Sequence, residues 1–436
     1  MRIGRPTRLA LGLVAAMLAC TEDATAPGKC PAYCPGGQIQ VVDTILRIIS
    51  RDSSYLGYVV PESAQVMPAV NAFGIDARPI FSMGPVGNRV LLNPSNTSDT
   101  TTVGAASVDS ATLIFKIDRR DTLASNLRIS LYRMPLTIDR NSTLAGLAGP
   151  FTDSLIRTMN VDSVFKLPGG VDSTAGDSVA AIDSLRIQIF VKIKLDSAQA
   201  RYLAADSGRS AFGIRVTADS LASVTIETLN GGRGPTLTWF ATFDSAGTPS
   251  HRLMAISNTT FSSFVGNAAS PTLDSNLVVG GLPSARSILR FSIPRGIRDS
   301  AQVVRATLYL VPVAAPQGIP SDSVVIAFER VSTDIGAKSP CVPVSGLTTC
   351  FTSGPGDSAF VVPATVSMGK TDTIATDITD IVRGWATDTI APQTLMVSQI
   401  PDGGNLVFLR LYSTRSPAFR PALHITYVPR YSFGNP

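Results

Sequence analysis

The sequence predicts an all-β protein: two tandem antiparallel β-sandwich domains with short helices, following a cleaved signal peptide and a flexible tether. Three observations predict it. Apolar residues recur with period two, as in Leu185, Ile187, Ile189, Val191, Ile193 and Leu195, whose opposite face carries Arg186, Gln188, Lys192 and Lys194. Turn-forming Gly, Pro, Asp and Ser separate such segments, and no long amphipathic helix interrupts them. The order of elements then repeats, once in each half of the 436 residues.

The chain begins with Arg2, Arg5 and Arg8 ahead of an apolar run from Leu9 to Ala19. That run is far shorter than the roughly 20 residues of a permanent membrane helix, so residues 1–19 are expected to be a removable export signal. It ends Met17, Leu18, Ala19, Cys20, which resembles the lipobox of bacterial lipoproteins. The resemblance makes Cys20 the lipidated first residue of an envelope protein. Thr21, in place of the aspartate associated with inner-membrane retention, directs the expectation to the outer membrane. An ordinary secretory signal with an incidental cysteine is the alternative.

Residues 20–38 read as the lipidated cysteine and its tether. Thr21 to Gly37 contain Pro27, Gly28, Pro31, Pro35, Gly36 and Gly37 with almost no apolar periodicity. A flexible segment of this length reaches about 20 to 25 Å. The count of five cysteines is odd. Setting Cys20 aside leaves Cys30 with Cys34, and Cys341 with Cys350, as two small-loop disulfides in an oxidising compartment. Metal ligation is the less economical reading, with only two histidines in the chain.

Composition agrees with export. Charged residues are 16% of the chain, and Ser, Thr, Gly and Pro fill their place. The formal charge of +5 falls to +2 once the three leading arginines are removed. No basic stripe remains for phosphates, which argues against a nucleic-acid partner.

The first sandwich is assigned to residues 39–245. Ala111, Leu113, Phe115 and Ile117 form one inward stripe; Leu127, Ile129 and Leu131 form another, against Arg128, Ser130 and Tyr132. Asp196 or Ser197 opens a short helix that runs to Tyr202. Asp244 to Pro249 break the strand pattern and are read as the domain boundary.

The second sandwich is assigned to residues 250–430. Ile378, Ile381, Val382 and Trp385 recur at helical spacing, with Thr379 or Asp377 available as a cap. Leu423, Ile425 and Tyr427 then alternate with Ala422, His424 and Thr426 in a last strand. Ala111-Thr112-Leu113 matches Ala306-Thr307-Leu308, and the segment from Pro235 matches that from Pro421.

In this half NLVVGG from Asn276, SILRFSIP from Ser287, VVRATLYL from Val303, DITDIVRGWA from Asp377 and RPALHITYV from Arg420 follow one another. That order is similar to DNRLRE domains. The resemblance implies a jelly-roll-like module related to carbohydrate-binding modules, and the first half shares it through its internal match. Polysaccharide binding is known for some such domains.

No catalytic constellation is present: no GxSxG, HExxH, P-loop or dinucleotide fingerprint. A non-enzyme without cofactor is expected. Asp-Ser pairs at Asp109, Asp162, Asp183, Asp219, Asp274 and Asp322 are read as turn and strand-end residues rather than calcium ligands. His424 is expected on the solvent face of its strand, and His251 carries no expected role.

Trp239 and Trp385 fall on inward faces. Tyr132, Phe190, Phe240 and Tyr309 lie opposite the apolar stripes and are the candidate platform for a polysaccharide or other surface polymer. The alternative is a structural, assembly or adhesion protein whose modules serve as spacers or dock protein partners.

Overall fold

The computed structural model describes residues 41–57, 61–86, 90–91, 102–103, 107–205, 209–245, 248–267, 275–282, 284–316, 318, 323–339, 361–388, 390–404 and 406–429. The signal segment, the tether, and Cys20, Cys30, Cys34, Cys341 and Cys350 lie outside the described residues.

Strands dominate, as expected. In chain order they begin with β1 (Val42–Leu46), β2 (Ile49–Leu56), β3 (Val66–Ala72), β4 (Ile75–Met83), β5 (Val90–Leu91), β6 (Thr102–Val103), β7 (Ser107–Arg120) and β8 (Arg128–Arg133). They continue with β9 (Leu155–Asn160), β10 (Ser178–Ala181), β11 (Ile189–Leu195), β12 (Ser210–Thr217), β13 (Ala222–Glu227), β14 (Thr236–Ser245), β15 (Thr248–Gly266) and β16 (Leu277–Gly280). The last are β17 (Ala285–Phe291), β18 (Ala301–Leu310), β19 (Ser323–Arg330), β20 (Val361–Ser367), β21 (Ile374–Asp377), β22 (Thr394–Ile400), β23 (Phe408–Leu411) and β24 (Ala422–Pro429).

In the first unit the strands do not separate into two independent sheets. They form one eleven-stranded sheet in which β7, β13, β3, β4, β15 and β14 close into a six-membered ring, a barrel. Strand length is the cause. At about 3.3 Å per residue, the fourteen residues of β7 span roughly 45 Å, enough to pair with β14 early and with β13 late. β15, nineteen residues long, likewise runs along β14 and then along β4. Leu113, Phe115, Leu237 and Trp239 of ring strands and Ile129 and Phe212 of β8 and β12 gather in one buried cluster.

The second unit has a four-stranded sheet, β1-β24-β18-β21, and a seven-stranded sheet, β20-β19-β22-β17-β16-β23, with β2 also paired to β17. Leu308, Leu423 and Ile425 from the former meet Leu289, Phe328 and Val397 from the latter in one buried cluster. The helix Thr379–Thr387 caps this core through Ile381, Val382 and Trp385. Asp377 accepts the Thr379 backbone N–H at 2.9 Å at its entry. In the first unit Asp196 caps Ser197–Ala204 in a reciprocal box with Gln199.

Pairing makes the internal repeat concrete. Trp239 stands opposite Ala111 and Leu237 opposite Leu113; Ile425 stands opposite Ala306 and Leu423 opposite Leu308. The chain of pairings β8-β12-β4-β3-β13 recurs as β19-β22-β17-β16-β23. The units touch through Val70, Ala72 and Ala77 of the first and Leu282 and Leu406 of the second. Gly404 belongs there because a Cβ would lie 1.9 Å from Cγ2 of Val66.

Three expectations need correction. Asp244 to Pro249 are not a boundary: Asp244 pairs with Pro249 and Ser245 with Thr248, so the turn residues close a hairpin and residues up to 266 belong to the first unit. Residues 42–56, assigned to the first sandwich, pair with β24 and β17 of the second. Period two says that a strand has a buried face but not which sheet receives it. Leu185 is 70% exposed, because the Asp183 carboxylate accepts the backbone N–H groups of Ile187 and Gln188 and holds a turn until β11 begins.

Candidate functional site

The outer face of the four-stranded sheet collects polar and aromatic side chains because β18 and β24 alternate. Leu308, Leu423 and Ile425 turn inward, leaving Thr307, Tyr309, His424 and Thr426 on the other side. The Tyr309 and His424 rings lie 6.2 Å apart at 27°. Tyr309 has alanines, Ala375 and Ala422, as its direct partners on both neighbouring strands, which leaves His424 as its aromatic neighbour.

Asp43 on β1 completes the cluster. Its Oδ1 accepts a 2.6 Å hydrogen bond from the Thr426 hydroxyl and lies 3.0 Å from His424 Nε2. Those two contacts, Thr426 first, hold the Asp43 carboxyl below the usual carboxylate range.

At the opposite edge the face continues over β21. Ala375 and Asp377 also line a cleft of about 570 Å³ between β21 and β20, with Lys370, Asp372, Thr365 and Ser367. Its volume falls in the ~300–1,000 Å³ range of small-ligand sites. Rings, alanines, hydroxyls and carboxylates thus form one strip from Asp43 to Lys370. Such a strip can stack against an apolar ring face and hydrogen-bond to hydroxyls along an extended ligand. Among the described residues no three metal-ligating side chains converge.

The four aromatics proposed from sequence do not form one platform. Phe240 stacks on His251 at 5.5 Å and 12°, and His251 Nδ1 lies 3.2 Å from Asp109, a second aromatic–histidine–aspartate group on the first unit. Phe190 lies across from Lys116 and Phe240 across from Ser110, roughly 20 Å apart along β7. Tyr132 is buried. It is 8% exposed and packs edge-on to Phe151, because Pro150–Asp153 folds back over that face. Trp239 and Trp385 are in the cores, as expected.

Sequence reasoning missed Asp43, Asp377 and Lys370. No local signal marks Asp43, because its position depends on where β1 docks. His424 does face outward, but it is engaged rather than idle.

No protein-family model matches this chain, and none of the curated proteins matches it.

Proposed function

We propose that this is a non-catalytic, lipid-anchored envelope protein whose two jelly-roll-like sandwich modules, the first of them closed into a barrel, bind polysaccharide or another surface polymer. Repetition of one pairing order in both units supports the tandem-module reading. The strip from Asp43 through His424 and Tyr309 to the Lys370 cleft carries the binding reading: it is long, open, and mixes ring faces with hydrogen-bonding groups. Cys20 serves as the anchor in this reading, on the outer membrane.

Affinity electrophoresis and calorimetry against a panel of neutral and acidic polysaccharides test it. Saturable binding that falls at least tenfold in Tyr309→Ala, with the unfolding midpoint unchanged, supports the strip as the site. Absence of binding across the panel overturns it. Cys20→Ser is expected to release the protein from the membrane fraction; unchanged partitioning removes the anchor.

A further inference from the structure

The two units differ in which segment pairs beside their last strand and along the facing sheet. In the first, β15 follows β14 through a hairpin, pairs with it, and then crosses to pair with β4. In the second, the same place beside β24 and β17, the counterparts of β14 and β4, is taken by β1 and β2. Nothing after β24 plays this part among the described residues. The closing strand comes from the other end of the chain: Asp43 bonds Thr426 across 383 positions.

The segment is held in a way that suits exchange. Ile49 is its one fully buried apolar side chain, while Ile45 is 62% exposed and Leu46 and Ile48 only border the core. Backbone pairing along both strands therefore supplies most of its attachment. Recognition is nonetheless specific to register. Asp52 accepts the Thr414 backbone N–H at 2.6 Å, and the Ser54 hydroxyl meets that of Ser287 at 2.9 Å and accepts the Val278 N–H at 3.0 Å. A strand shifted by one residue would turn these polar groups to the wrong face.

Gly57, with φ +67° and open space around it, follows β2 directly and gives the chain freedom to redirect the strand.

We propose that residues 42–56 are an exchangeable donor strand, and that the partner this acceptor edge fits is a second copy of the same chain, the two copies closing each other's second unit by reciprocal swapping. Two identical donors and acceptors related by a twofold axis close into a dimer without leaving a free edge. This goes beyond polymer binding and does not depend on it.

The test uses full-length chains bearing two different affinity tags, purified separately, mixed at high concentration and captured through one tag. Expected are cross-capture that grows with time and concentration, a dimer mass by light scattering, and suppression by excess peptide of residues 42–56. A Asp43→Cys, Thr426→Cys chain, oxidised and isolated as monomer before mixing, should lose at least nine-tenths of the capture, a tenfold effect, while keeping cooperative unfolding. Absence of cross-capture at every concentration overturns the proposal, as does capture that the staple leaves intact.

Discussion

His424 on the last strand lies with its Nε2 3.0 Å from Oδ1 of Asp43 on the first. The contact ties the two ends of the described chain together on the face where Tyr309 stacks. It joins closure of the second unit to the candidate binding strip, so a change at Asp43 should register in both.

Asp43→Asn should loosen β1 without unfolding the core. The Asp43 carboxyl is held below its usual range by Thr426 and then His424. A depressed carboxyl contributes above the ordinary carboxylate pKa, and the contribution is lost as pH falls through the lowered value. Amide exchange at Thr44 and Ile45 should therefore accelerate in Asp43→Asn at neutral pH and in the parent protein only at strongly acidic pH. Equal exchange in both at neutral pH would remove Asp43 from this role.

Glu329 gives a separate pH signature. It is fully buried beside Ser398, near the Arg286–Asp402 ion pair, and burial raises its pKa to about 7. A raised folded pKa contributes stability fully present below the unfolded value of 4.5 and lost as pH rises through about 7. Glu329→Gln should be more stable than the parent by on the order of 3 kcal/mol at about pH 8, and equal to it near pH 4. Denaturant unfolding across that range checks it; parallel pH profiles would contradict it.

The two tryptophans should respond differently to phenylalanine. Trp239 donates its Nε1–H to the Ser257 hydroxyl at 3.1 Å, whereas Trp385 Nε1 has no acceptor among the described residues. Trp239→Phe breaks a buried bond and leaves Ser257 unpaired; Trp385→Phe removes a donor already unpaired. Both leave a cavity, but Trp239→Phe should cost about 1–2 kcal/mol more. Because each substitution removes its own unit's tryptophan, chemical unfolding followed by far-ultraviolet circular dichroism measures the difference, and equal costs would contradict it.

Much of this fold is legible in the sequence. Ala111, Leu113, Phe115 and Ile117 alternate because β7 has one buried face, and the Asp196 cap marks a helix start where the structure has it, whereas Ile378 stands at the N-cap of Thr379–Thr387 without a side-chain cap bond and Asp377 bonds Thr379 from the residue before it. Trp239 and Ile425, which stand at matching places after Pro235 and Pro421, also have matching pairing partners in Ala111 and Ala306. What the letters do not carry is destination. Residues 42–56 alternate equally well for either unit, and their place is decided by the edges that β24 and β17 leave open. Turn residues at 244–249 serve a hairpin as readily as a linker. Tyr132 alternates outward from Leu131 yet is buried, since a second layer built from residues 134–151 covers it. The binding strip was half legible for the same reason: Tyr309 and His424 share a visible outward stripe, while Asp43 arrives from a distant strand.

Crosslinking tests the closure most directly. Asp43 and Thr426 are register partners whose side chains touch at 2.6 Å, so cysteines placed at both positions should oxidise to a disulfide in the folded protein. Mass spectrometry of the digested chain should then find the peptide bearing residue 43 joined to that bearing residue 426. Free thiols at both positions in protein that is folded and exposed to oxidant would contradict the docking of β1 on β24.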